Sequence, residues 1–200
     1  MVANHPVDFS TDLTEERLNI VCNLCLDAIA DSLIDSSSIY DTPWTKGCLA
    51  YGRLQGLVIH MAKSRDYEWI VLANKTMDFT ARIGSTLVQF VVDDPYNPKK
   101  THRLHTNSVE NMQLSLDFES KARVDVATWR VFITFDKHDQ QVQPSAVLVG
   151  FDFNQNPICF WNYEDTIPMP VAAELTNVVE IPEPQLARKQ NRDDEVNETR

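Results

Sequence analysis

The chain has 200 residues, 43% of them hydrophobic, and a formal net charge of −11 at pH 7. That is enough apolar material for one domain with a proper core, followed by a tail. The charge speaks against binding to nucleic-acid backbones or anionic membranes, because both require a basic face that neutralises phosphates. It fits a soluble intracellular protein, a partner for a basic surface, or a mimic of nucleic-acid charge.

The opening MVANHPVDFSTD lacks the basic and apolar regions of a secretory signal, and no apolar run reaches the length of about 18 residues that a membrane span needs, so a cytoplasmic location is expected. Three of the four cysteines, Cys22, Cys25, Cys48 and Cys159, fall inside apolar periodic segments rather than in a spaced loop framework. They read as reduced thiols.

In chain order, Asp12 with Glu15 three positions later predicts a helix N-cap, and a helix follows from Leu13 to about Ile34. Leu18, Val21, Cys25, Ile29 and Leu33 form its apolar stripe. Thr42-Pro43 predicts a second start, and Trp44, Cys48, Tyr51, Leu54, Val58 and Met61 recur at intervals of three or four as a helix ending near Lys63. Gly47, Gly52 and Gly56 weaken that helix, and close packing against a neighbouring element accounts for them better than a ligand site.

From Tyr67 the period changes to two. Glu68–Ala73 predicts a central strand, and Thr76–Val92 predicts a hairpin about Gly84-Ser85 on which the sheet is founded. Met77, Phe79, Ala81 and Ile83 share its apolar face. A loop rich in turn formers follows Asp93-Asp94. Met112, Leu114, Leu116 and Phe118 alternate as a strand, as do Trp129, Val131, Ile133 and Phe135. Ala146–Phe153 and Ile158–Tyr163 flank Asn154-Gln155-Asn156-Pro157 as a terminal hairpin, after which Pro168 and Pro170 end the sheet. The expected fold is α+β, with two N-terminal helices packed on one face of a mostly antiparallel six- or seven-stranded sheet. Residues 1–178 form the single domain, and the charged segment 179–200 is expected to be disordered.

Four groups of residues could carry chemistry. Cys22 and Cys25 have C-x-x-C spacing, but no second ligand pair follows and the helix stripe makes them core residues. His102 and His105 could hold a divalent cation with Asp93 and Asp94, although a polar loop more often carries ordinary surface histidines. Asp117, Glu119 and Lys121 would share one face of a strand, and with Asp93 or Asp94 they match the D…(D/E)-x-K arrangement of metal-dependent nucleases. The fourth group is aromatic: Phe151, Phe153, Phe160, Trp161 and Tyr163 crowd the last hairpin, and alternation turns part of the set away from the helix-covered face. No phosphate loop, nucleophile elbow or dinucleotide fingerprint occurs.

The residues lean away from an enzyme. They favour an accessory or regulatory protein that binds a protein partner or small ligand through Phe153, Trp161 and Tyr163, without a cofactor. Nucleic acid is not the expected partner, no membrane is involved, and a homo-oligomer is compatible. The alternative is a metal-dependent nuclease or hydrolase using Asp93, Asp94, Glu119 and Lys121, which would need Mg²⁺ or Mn²⁺. A second alternative is an acidic inhibitor that mimics nucleic-acid charge.

Overall fold

A computed structural model describes residues 5–99, 101–117, 126–138 and 142–164. The 118–125 segment and the charged tail, together with the prolines expected to end the sheet, lie outside the described residues.

A short helix α1 (Pro6–Phe9) precedes the long α2 (Glu15–Asp35) and α3 (Pro43–Met61). The cap of α2 is Thr14 rather than Asp12, its side chain accepting from the Arg17 amide. Asp12 is drawn elsewhere: its Oδ2 accepts from both the amide and the hydroxyl of Ser85, each at 2.7 Å, and its Oδ1 accepts from Arg17 Nη1 at 3.1 Å. A carboxylate holding three donors has more to gain there than at one helix end. These bonds, Ser85 first, hold its pKa below the ordinary value. Thr42 caps α3 as expected, in a reciprocal box with Thr45.

Strands β1 (Ile70–Asn74), β2 (Thr80–Ile83), β3 (Thr86–Val92), β4 (Thr128–Thr134), β5 (Ser145–Phe151) and β6 (Pro157–Asn162) form one sheet in sequential order. The Gly84-Ser85 turn is as read: Ile83 pairs with Thr86 and Gly84 takes φ 59°. A side chain at Gly84 would be strained by that φ and would run into the Asp12 carboxyl. The hairpin is shorter than expected, since β2 begins at Thr80 and Met77 is exposed.

The largest correction concerns residues 112–117. They do not form a strand but the second half of a helix, α4 (Ser108–Asp117). Asn107 starts it: its Oδ1 accepts from the amides of Val109 and Glu110, each at 3.0 Å, while Glu110 Oε2 accepts from the Asn107 amide at 2.9 Å. That capping box outweighs the period-two pattern of Met112, Leu114 and Leu116. With a helix as the crossover, the chain re-enters the sheet in the direction it left. β3 and β4 therefore pair in parallel, and the other four pairings are antiparallel. The described residues hold six strands, not seven.

Both faces of the sheet are covered, not one. On the first, Ala81, Ile83, Val88, Phe90, Val131, Ile133 and Leu148 share a buried cluster with Leu18, Val21, Cys25 and Ile29 of α2 and Leu54, Val58 and Met61 of α3. On the second, Val91, Phe132, Val147, Val149 and Phe151 form a smaller cluster with Leu104. Beside it lies a polar row, Thr80, Gln89 and Arg130, all buried. Arg130 donates to both oxygens of the buried Glu110 of α4, and its Nη2 also reaches the His105 carbonyl at 3.2 Å. Asn107 Nδ2 donates to Thr80 Oγ1 at 2.9 Å. A two-pronged charge pair thus fixes α4 to the sheet.

Candidate protein-binding site

The connection between α2 and α3 is a short, self-bonded corner. Ser36 closes α2 by donating its hydroxyl to the Ser32 carbonyl at 2.8 Å. Asp41 then ties the turn: its Oδ2 accepts from the Ser38 amide and its own amide donates to the Ser38 carbonyl, both at 2.9 Å. Pro43 sets the first turn of α3. With its polar groups bonded to one another, this corner leaves its apolar side chains in water. Ile34 is 69% exposed, Ile39 90%, Tyr40 84% and Trp44 74%. The other exposed large hydrophobics are scattered along the chain, whereas these four fall within eleven residues at one corner. Single exposed apolar residues are normal on soluble proteins; a concentration of them marks an interaction surface.

Trp44 and Cys48 belong to the three-and-four spacing that marks α3 but not to its buried stripe. The stripe that does face the core is Ala50, Leu54, Val58 and Met61. From Trp44 to Leu54 is ten residues, a rotation about 80° short of whole turns at 3.6 residues per turn, so the early members of the series have turned away from the sheet. The exposed stripe runs Trp44, Cys48, Gly52 and Gly56 at four-residue intervals. Here the expectation is corrected: a Cβ at Gly52 or Gly56 would meet nothing within 4 Å, so neither glycine serves packing inside the domain. Only Gly47 faces another element, with Lys137 Nζ 3.0 Å from an added Cβ. The signal in the sequence was Ile39-Tyr40 lodged among turn formers, with Trp44 four residues on.

The aromatic residues of the last hairpin do not make one surface. Phe153 lies in the turn and is 58% exposed. Trp161 stands opposite Leu148, on the face carrying α2 and α3, and is half-buried against the main cluster. Tyr163, also half-buried, donates its hydroxyl to Asn23 Oδ1 of α2 at 3.4 Å. The face to which alternation was to turn an aromatic anchor is instead occupied by Phe151 and Phe160, packed with Phe132 and Tyr96. The turn is fastened by Asp152, whose carboxylate accepts from the amides of Asn154 and Asn156 and from Asn156 Nδ2. The Asn156 bonds foremost keep its pKa low.

Asp93 and Asp94 follow the end of β3 and line a cleft of about 580 Å³ with Lys99, Asp136, Lys137 and His138. Their carboxylates are engaged in turns: Asp93 accepts from the Asp94 amide at 3.0 Å and Asp94 from the Tyr96 amide at 2.9 Å. Glu119 and Lys121, on which the hydrolase alternative rests, lie outside the described residues, and Asp117 is the last residue of α4 rather than part of a strand. His102 is exposed, and His105 Nδ1 lies 2.9 Å from Gln155 Nε2. Among the described residues no group of three or more His, Cys, Asp or Glu is arranged to hold a metal ion. Cys22 and Cys25 are wholly buried in α2; burial pushes the Cys22 thiol up to about 12 and Cys25 well above its ordinary value. Burial disfavours the thiolate form of both.

Among the described residues no helix is long and apolar enough to cross a membrane. No protein-family model, curated protein or solved structure matches this chain.

Proposed function

We propose that this protein is a non-enzymatic accessory or regulatory protein that binds a protein partner, and that the α2–α3 corner is where it does so. The observation that carries this reading is the set Ile34, Ile39, Tyr40 and Trp44, four large apolar side chains in water on a backbone fixed by its own hydrogen bonds. Tryptophan and tyrosine held on rigid backbone lose little conformational entropy on association, which is why they dominate interface hot spots. Phe153 is a separate exposed aromatic, and Trp161 and Tyr163 act here as support for the sheet edge and α2.

The reading is tested by placing a photo-crosslinking phenylalanine analogue at position 44, or at Met112 on the opposite layer as a control. Irradiation in an extract of the source cells should give a discrete protein adduct from position 44 and none from position 112. Equal labelling from both positions, or none from position 44, would remove the corner as a binding site.

A further inference from the structure

The outer side of the α2–α3 hairpin breaks rules of helix construction that its inner side obeys. Asp27, Asp31 and Asp35 follow one another at four-residue spacing on the exposed side of α2. Like charges at that spacing repel, and carboxylates near the end of a helix face the negative end of its dipole. The last turn of α2 has no basic residue. Asp35 is paired with Arg53 of α3, but among the described residues neither Asp27 nor Asp31 has an ion-pair partner. Ile34 follows Asp31 by three residues and Asp27 by seven, so the acidic stripe runs directly into the apolar corner, with Asp41 across the turn. The two cations of α3 nearest the corner are used within the domain: Arg53 by Asp35, and Lys46 by the Lys137 carbonyl at 3.3 Å.

A second copy of the chain would bring a second set of these carboxylates to the same face, on a molecule already at −11. A basic occupant converts that repulsion into attraction and gives the misplaced acids a partner. The open glycine stripe beside them, Gly52 and Gly56, lets another backbone approach α3 closely. We infer that the occupant of this face is a basic segment of a partner protein, its lysines or arginines along Asp27 and Asp31, its apolar side chains against Ile34, Ile39, Tyr40 and Trp44, and its backbone over Gly52 and Gly56. The inference rests on the corner being the protein-binding site.

Three synthetic peptides of equal length probe the immobilised full chain: an amphipathic Leu/Lys helix, the same helix with Glu for Lys, and a Leu/Lys peptide of the same composition without an apolar face. The wild type should bind the first about tenfold or more tighter than the others, with an affinity that falls as salt is added. The double variant Asp27→Asn, Asp31→Asn should weaken it about fivefold and flatten the salt dependence. Trp44→Asp should weaken it about tenfold or more, while Trp44→Phe retains most of the affinity and so separates loss of the anchor from loss of the fold. If the Glu helix binds as well as the Lys helix, or the double variant binds like wild type, while Trp44→Asp still abolishes binding, the basic partner is wrong and the corner stands. If Trp44→Asp binds every peptide as wild type does, the corner falls and the inference with it. Self-association of the wild type that Trp44→Asp abolishes would make a second copy the occupant and overturn the inference, as would failure of all three peptides to bind.

Discussion

The seat of α4 and the corner between α2 and α3 are opposites. At the first, charge is buried: Arg130 and Glu110 are withdrawn from water, and each finds its partner inside the domain. At the second, apolar surface is exposed, and among the described residues the carboxylates leading to it have no ion-pair partner beyond Arg53. Both arrangements oppose the usual partition of residues between core and surface. The difference is that the first is completed among the described residues and the second is not. A buried charge with its counter-charge holds an element in place. An exposed apolar group on a fixed backbone is what the proposed partner would cover.

The sharpest way to break this comparison is at α4. Glu110→Ala should cost about 3–5 kcal/mol, because it leaves the Arg130 guanidinium buried and uncompensated. Pairing it with Arg130→Met should recover most of that loss, since removing both charges removes the desolvation penalty as well. Urea melts of the two variants check this, and a single variant within about 1 kcal/mol of wild type would mean that water reaches the pair.

On the exposed side of α3 the sign reverses. Gly52→Ala and Gly56→Ala should each stabilise the domain by up to about 1 kcal/mol, because a methyl group meets open space there and alanine is the better helix former. A loss on substitution would show that these positions face something inside the domain.

A smaller effect follows from Asp12, which closes the Gly84-Ser85 turn from the start of the helical layer. Its folded pKa is depressed, so its contribution is present above the ordinary carboxylate range and is lost as pH falls through the folded value. Asp12→Asn should therefore be less stable than wild type at pH 7, with the gap closing in acid. A gap independent of pH would assign the effect to shape rather than charge. The smallest effect concerns the thiols. Cys48 is exposed one turn from Trp44, whereas Cys22, Cys25 and Cys159 are buried, with Cys159 raised to about 11 chiefly by burial. In the native protein Cys48 alone should react rapidly with a maleimide, and mass spectrometry after digestion reads the outcome.

The sequence made the two long helices and the founding hairpin legible, because Thr42-Pro43 and Gly84-Ser85 carry backbone requirements that few other arrangements meet. It misled where two periods fit one short stretch. Met112, Leu114 and Leu116 alternate, yet Asn107 and Glu110 stand three apart just upstream, and the cap decided for a helix. That one misreading also hid the parallel pairing of β3 with β4 and the covering of the second face. The corner was missed for a different reason. Trp44 fits a helical stripe when counted in steps of three and four, but the steps accumulate a rotation that periodicity over a few residues does not register. Exposure is a property of the assembled layers, and Ile34 looks no different in sequence from Ile29 at the core.

The most direct test of the corner is one variant measured twice in one buffer. Trp44→Asp should leave the urea unfolding free energy within about 0.5 kcal/mol of wild type, as for a surface position that the fold does not use. The same protein should bind the basic amphipathic peptide about tenfold more weakly or worse. An unfolding free energy lowered by about 3 kcal/mol or more with the affinity unchanged would place Trp44 in the core and contradict the account.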